Sequence, residues 1–274
     1  MDGARLLVFA LAGLVVLAIA VMAGVLYWSK YKIYRFSAEP ARAEAFEGVE
    51  RVVFRASDGT ELRAFAVPGL PDAPVLISFY GNFTGLMPSF LRLQPIIDQG
   101  IGVVMLEYRG SGDAPGIPSE ANFAADAMAL YDHLDTLIGR STSPEQRFVH
   151  GYSLGVSPAT ALAAQRPVGG LIIEAGYDSL CRFQERRLRG FPMCRLMWAE
   201  RHDVIAHASD LSAPILLAHG QKDRDIPMVW ANLLYDALPE PKRQIVYPDG
   251  THTNLMTQGL AEDLVAFIVV GPDT

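Results

Sequence analysis

The sharpest contrast between apolar and polar positions comes first. Residues 6–28, LLVFALAGLVVLAIAVMAGVLYW, carry no charge and no proline. As a helix this run is about 34 Å long against about 30 Å of bilayer hydrocarbon, so it predicts a membrane-spanning segment. The small residues AIA at 18–20 resemble a signal-peptide cleavage site. Signal-peptide cores, however, run about 7 to 15 residues, and this one continues to Tyr27 and Trp28, a pair suited to the membrane interface. Residues 1–28 are therefore read as an anchor. Residues 29–48 are polar and mixed, and are read as a juxtamembrane connector.

Beyond them the pattern turns to alternation. RVVFRA and ELRAFAVP flank SDGT, where Asp58 and Gly59 can supply the positive φ angles of a tight hairpin. Then come short continuous apolar runs: APVLISFYG, IGVVMLEYRG, RFVHGYS, GGLIIEAGY, APILLAHG and RQIVYPDG. Strands buried on both faces look like this, because helices cover both sides of a parallel sheet. Between the runs lie segments of helical period, such as residues 122–140 with Phe123, Ala127, Leu130, Leu134 and Leu137 on one face. The expectation is an α/β fold over residues 49–274, its mostly parallel central sheet joined by right-handed crossovers. Residues 178–210 form the one sizeable insertion, a short cap mixing arginines with Phe183, Phe191, Met193, Met197 and Trp198. It reads as a solvated helix packed on the domain, or as an apolar rim that guides acyl chains from a nearby bilayer.

Composition adjusts this picture at three points. The chain of 274 residues carries a net charge of −7, with no basic stripe beyond the juxtamembrane segment, so nucleic acid is not an expected partner. Arg5 flanks the apolar run on one side, and Lys30, Lys32, Arg35 and Arg42 on the other, which favours a cytoplasmic C-terminal domain. Cys181 and Cys194 lack the partners and spacing of a zinc site; they are expected as free thiols, a disulfide requiring an oxidising compartment.

The chemistry centres on HGYSLGVSPATALAAQRP, where Gly151 and Gly155 bracket Ser153. A strand before and a helix after would place Ser153 on a turn so sharp that Cβ atoms at the flanking positions would collide, the GxSxG nucleophile elbow. A serine nucleophile needs a base, and the base an orienting carboxylate. Asp223 lies just beyond the run APILLAHG, with Asp225 a rival and Glu174, topping another strand, a substitute. His252 follows the run RQIVYPDG. The other histidines fit worse: His133 in a helix, His150 on the strand before the elbow, His202 and His207 in the insertion, His219 packing beneath the acid loop. The N–H of Leu154 is one expected oxyanion donor, and YGNFTG offers a second, that of Asn82 or, alternatively, Phe83. GSGDAPG resembles a dinucleotide loop, but Pro115 and Pro118 interrupt the helix such a loop requires. No metal and no cofactor is implied.

From about residue 50 onward the chain resembles the α/β-hydrolase superfamily, in particular the membrane-anchored group related to BEM46 and the ABHD12/13-like proteins. The likeness rests on SDGTELRAFAVP, YGNFTG, EYRGSGDAPGIPSE, GYSLG, HGQKDRDIP and DGTHTNL, in that order. It implies an α/β-hydrolase fold and a serine hydrolase acting on an ester or thioester, lipid-like or of small acyl type, through Ser153, Asp223 and His252. One departure stands out: the group has histidine before the oxyanion glycine, where this chain has Tyr80. A serine peptidase and a catalytically silent membrane scaffold are the alternatives.

Overall fold

The SDGT turn closes as a hairpin with Arg55 opposite Glu61. Gly59 takes the positive φ, 83°. Asp58 does not; its carboxylate instead accepts the Thr60 N–H at 2.9 Å, which locks the turn from the side chain. This hairpin joins β1 (Glu50–Arg55) to β2 (Glu61–Val67), and the chain continues through β3 (Val75–Phe79), β4 (Gly102–Glu107), β5 (Arg147–Tyr152), β6 (Gly170–Glu174), β7 (Ile215–Gly220) and β8 (Lys242–Tyr247). The structure, a computed structural model, describes residues 3–42, 46, 48–82 and 85–271.

The strands form one sheet in the order β1-β2-β4-β3-β5-β6-β7-β8. From β4 to β8 every neighbouring pair is parallel, while β2 meets β1 and β4 antiparallel. All residues of β3, β4, β6 and β7 are buried, as their continuous apolar runs require. The helices are α1 (Gly3–Ile33), α2 (Leu86–Leu91), α3 (Gln94–Ile97), α4 (Glu120–Ile138), α5 (Val156–Ala163), α6 (Leu180–Arg187), α7 (Met193–Leu196), α8 (Met228–Ala237) and α9 (Leu260–Val269). The architecture is the α/β-hydrolase fold.

Helix α4 shows how local signals set the boundaries. The Ser119 hydroxyl accepts the Asn122 N–H at 3.1 Å, and Gly139 ends the helix at a φ of 68°. The expected apolar face, Phe123, Ala127, Leu130, Leu134 and Leu137, is buried. Between β4 and α4, Arg109 donates two hydrogen bonds to Asp126, at 2.8 and 2.6 Å, and two to Asp58, at 2.6 and 3.3 Å. One guanidinium therefore pins the loop to α4 and to the hairpin turn.

Helix α1 carries the apolar run, long enough to cross a membrane and not buried against the domain. It continues past Trp28 to Ile33, which is buried. In the insertion, α6 and α7 fold back on each other through Arg189 and Gly190, both at positive φ. This reversal brings the Cα atoms of Cys181 and Cys194 to 4.8 Å, and the two form a disulfide. The expectation of free thiols is thereby corrected: thirteen residues apart in sequence, the sulfurs meet because the chain turns back between α6 and α7. A bridge between Ser179 and Asp203 closes the base of the insertion.

Removing Arg109 would leave the Asp126 carboxylate buried without its partner. Arg109→Met is expected to destabilise the protein by about 3 kcal/mol, read as a lowered unfolding midpoint in detergent, and Asp126→Asn in the same background should recover part of the loss.

Candidate active site

Ser153 follows β5 directly and adopts a φ of 52°, the left-handed region that a residue bearing a Cβ enters only at a cost of about 1–2 kcal/mol. The flanking glycines make the turn possible. A Cβ on Gly151 would lie 2.6 Å from the Gly155 carbonyl oxygen, and one on Gly155 would lie 2.1 Å from that of Phe79. The chain then makes one short turn and enters α5, leaving Ser153 half-buried at the carboxyl edge of the sheet.

Asp223 and His252 come from the loops after β7 and β8, the two strands beyond β6. Those loops touch backbone to backbone: a Cβ on Gly220 would sit 2.5 Å from the Gly250 carbonyl. The contact is laced by Lys222 N–H donating to Gly250 O at 2.8 Å and by Gln221 N–H donating to Tyr247 O at 2.9 Å. The acid and the base therefore keep a fixed separation.

The side chains converge. His252 Nδ1 lies 2.8 Å from Asp223 Oδ2, and Nε2 lies 2.9 Å from Ser153 Oγ. With the proton on Nδ1, the imidazole donates to the carboxylate and offers its Nε2 lone pair to the hydroxyl. The other carboxylate oxygen accepts the N–H groups of Asp225 and Ile226 at 2.9 and 2.8 Å, so Asp223 is oriented from both sides. Its side chain is fully buried, whereas the His252 ring keeps 14% of its surface, enough for water to reach it.

The rival residues are engaged elsewhere. Glu174 is fully buried, paired with Arg92, and 3.1 Å from His150 Nε2; His150 Nδ1 in turn meets Ser78 Oγ at 3.0 Å. Burial alone would raise the Glu174 carboxyl, but the neighbouring Arg92 and His150 hold it below its usual range. His219 Nε2 donates to Ile226 O at 2.8 Å beneath the acid loop, and burial lowers its pKa. His202, buried against Ser157, is pushed down to about 4 by burial, against the pull of Glu200. Among the described residues one cluster could in principle ligate a cation, Asp223, Asp225 and His252 within 4.8 Å. Both ring nitrogens of His252, however, already face Asp223 and Ser153.

Asn82 lies in a turn beside the nucleophile, next to Gly81, where an added Cβ would approach Ser153 Cβ to 3.1 Å. Phe83, the alternative donor, lies outside the described residues. Tyr80 holds the loop by stacking on Tyr108, the ring centroids 4.1 Å apart. The exchange is reciprocal: Tyr108 N–H donates to the Tyr80 hydroxyl at 3.3 Å, and the Tyr108 hydroxyl donates to Tyr80 O at 2.8 Å. Tyr80, the departure from the resemblance, thus buttresses the loop.

Two features escaped the sequence reading. Arg92 lies over the Tyr152 ring at 4.3 Å, and the Tyr152 hydroxyl donates to His252 O at 3.0 Å, joining the buried Glu174 pair to the base loop. The segment read as a connector also docks on the loop after β3. The Asn82 amide accepts Arg35 N–H at 2.8 Å and donates to Lys32 O at 2.9 Å. Phe36 packs against both Tyr80 and Tyr108, Tyr34 donates to Glu200, and Gly112 N–H donates to Ser37 O at 2.8 Å. The signal was present in Ile33, Tyr34 and Phe36, apolar side chains unusual for a solvated linker.

No family model matches the chain. An uncharacterized protein of Mycobacterium tuberculosis is 29% identical, aligned over 83% of this chain and 82% of its own length. The lysophosphatidylserine lipase ABHD12 of zebrafish (Danio rerio) is 30% identical over 62% of this chain and 48% of its own. Among solved structures, an esterase of Pyrococcus furiosus superposes with a TM-score of 0.64 at 14% identity, covering 87% of this chain and 99% of the esterase.

Asn82→Ala removes both bonds to the anchor segment and leaves the backbone N–H in place. It is expected to lower kcat on a p-nitrophenyl ester roughly 10- to 100-fold with little change in KM. Steady-state kinetics on the full chain in detergent would show this split.

Proposed function

We propose that the chain, an α/β-hydrolase by fold, is of the ABHD12-like kind and is a membrane-anchored serine hydrolase cleaving an ester or thioester by way of an acyl-enzyme. One observation carries the reading: His252 stands 2.9 Å from the Ser153 hydroxyl and 2.8 Å from the Asp223 carboxylate. In this account Nε2 takes the hydroxyl proton as Oγ attacks the carbonyl carbon, and returns it to the leaving alcohol or thiol. Water then enters, His252 deprotonates it, and the acyl group leaves Ser153 as the acid. Asp223 stabilises the imidazolium without taking the proton. The N–H groups of Leu154 and Asn82 receive the oxyanion. The zebrafish lipase favours a lipid ester, and an anchor beside the site is consistent with a substrate drawn from the bilayer.

We place residues 1–28 in the membrane as the anchor, with residues 29–48 leading into a catalytic domain over residues 49–274 and its cap at 178–210. The domain faces an oxidising compartment in our reading, because the Cys181–Cys194 bridge would not persist against cytosolic thiols. This departs from the flanking Lys and Arg. Of these, Lys30 is already neutralised by Glu200 at 3.2 Å.

Ser153→Ala is expected to abolish labelling by a fluorophosphonate probe and to lower ester turnover roughly 10⁴-fold or more, with the far-ultraviolet spectrum unchanged. Labelling that persists in the variant would contradict the assignment. In intact cells a membrane-permeant maleimide should tag neither cysteine until a reductant is added, and an alkaline phosphatase fused to the C-terminus should be active. Tagging without reduction would return the domain to the cytoplasm.

A further inference from the structure

The tip of the cap hairpin is basic on an acidic chain. Arg186, Arg187, Arg189 and Arg195 are all exposed. Two acidic groups near them are engaged elsewhere: Glu185 accepts the Cys194 N–H at 2.9 Å, and buried Glu200 pairs with Lys30 and Tyr34. Arg182 and Arg201 have acidic neighbours, Asp178 at 3.9 Å and Asp203 at 4.0 Å. Interleaved with the four arginines are three exposed apolar side chains, Leu188 at 46%, Phe191 at 48% and Trp198 at 68% exposure. Arginine with tryptophan, phenylalanine and leucine on one surface is the composition of an interfacial membrane contact. The arginines are scattered along the sequence and form no basic run; the hairpin gathers them.

The position of the tip matters as much as its composition. α7 touches α1, and Val25, within the apolar run, packs against the domain core. Lys30 and Tyr34 tie the end of α1 to Glu200 at the base of the cap, and Tyr34 also meets His202 at 3.0 Å. The cap is thus fixed to the anchor at the level of Tyr27 and Trp28, where the helix leaves the hydrocarbon. The disulfide staples α6 to α7, so the tip is presented as a rigid hairpin.

We propose that this tip docks on the bilayer surface beside the anchor and binds anionic phospholipid, its arginines meeting headgroup phosphates while Leu188, Phe191 and Trp198 enter the interface. The contact is independent of the chemistry at Ser153 and holds the mouth of the site against the leaflet.

The test uses the full chain carrying Trp28→Phe, reconstituted in vesicles of phosphatidylcholine brominated in its acyl chains, with or without phosphatidylglycerol. The signal of Trp198 is the difference between this protein and one also carrying Trp198→Phe, which removes the contribution of buried Trp230. Quenching of Trp198 is expected to rise about twofold or more with phosphatidylglycerol, and to fall back at high salt. A variant with Arg186, Arg187, Arg189 and Arg195 all replaced by glutamine should lose the dependence while retaining fluorophosphonate labelling or, should the serine assignment itself fail, the near-ultraviolet spectrum of the parent. Quenching that is absent, or indifferent both to phosphatidylglycerol and to the four arginines, would overturn the proposal. So would binding of fluorescein-labelled polyuridylate through the same arginines with no lipid dependence.

Discussion

The closeness of the backbone crossing at Ser153 is the constraint on which the site depends. Ser153, raised above the sheet edge, takes a φ of 52° although it bears a side chain, and the following turn and the neighbouring strand leave room for it only because Gly151 and Gly155 contribute no Cβ. The same economy of backbone volume recurs where Gly220 meets Gly250, one crossing placing the serine and the other fixing the distance between acid and base. Neither strain nor glycine supplies chemistry. Together they convert three positions spread over a hundred residues into one line of hydrogen bonds.

Beneath that line lies a second, buried polar layer: Arg92, Glu174, His150 and Ser78 satisfy one another under the elbow. A buried carboxylate without such partners would be costly, and its pairing with Arg92 also sets the guanidinium on Tyr152 and so supports the base loop. On the opposite flank, Tyr80 and Tyr108 stiffen the loop after β3, and the end of α1 with the residues that follow it grips Asn82. The apolar helix is therefore continuous with the site, and cutting the chain near residue 36 would sever contacts to the turn beside Ser153.

Much of the fold was legible because buried parallel strands write themselves as short, largely apolar runs; β3 to β8 appear where the six runs lie, and β1 and β2 where the alternation does. The ends of β5, β7 and β8 were legible too, and with them the places of Ser153, Asp223 and His252. What stayed hidden depends on distant chain segments meeting. The Cys181–Cys194 pair shows nothing of its bridge until α6 turns back at Arg189 and Gly190. Asn82 could be chosen for its backbone, but the grip of Lys32 and Arg35 on its amide has no local signature. Asp58 looked like a residue for positive φ and serves instead as an acceptor for Thr60 and Arg109.

The central claim is a covalent one, that an acyl group passes through Ser153. It is tested most directly by quenching the His252→Ala variant in acid during exposure to an activated ester, then locating added mass by peptide mapping. The account predicts an acyl adduct on the peptide containing Ser153, accumulating because deacylation lacks its base. Turnover by the parent enzyme with no adduct there, or with the acyl group on another residue, would contradict it.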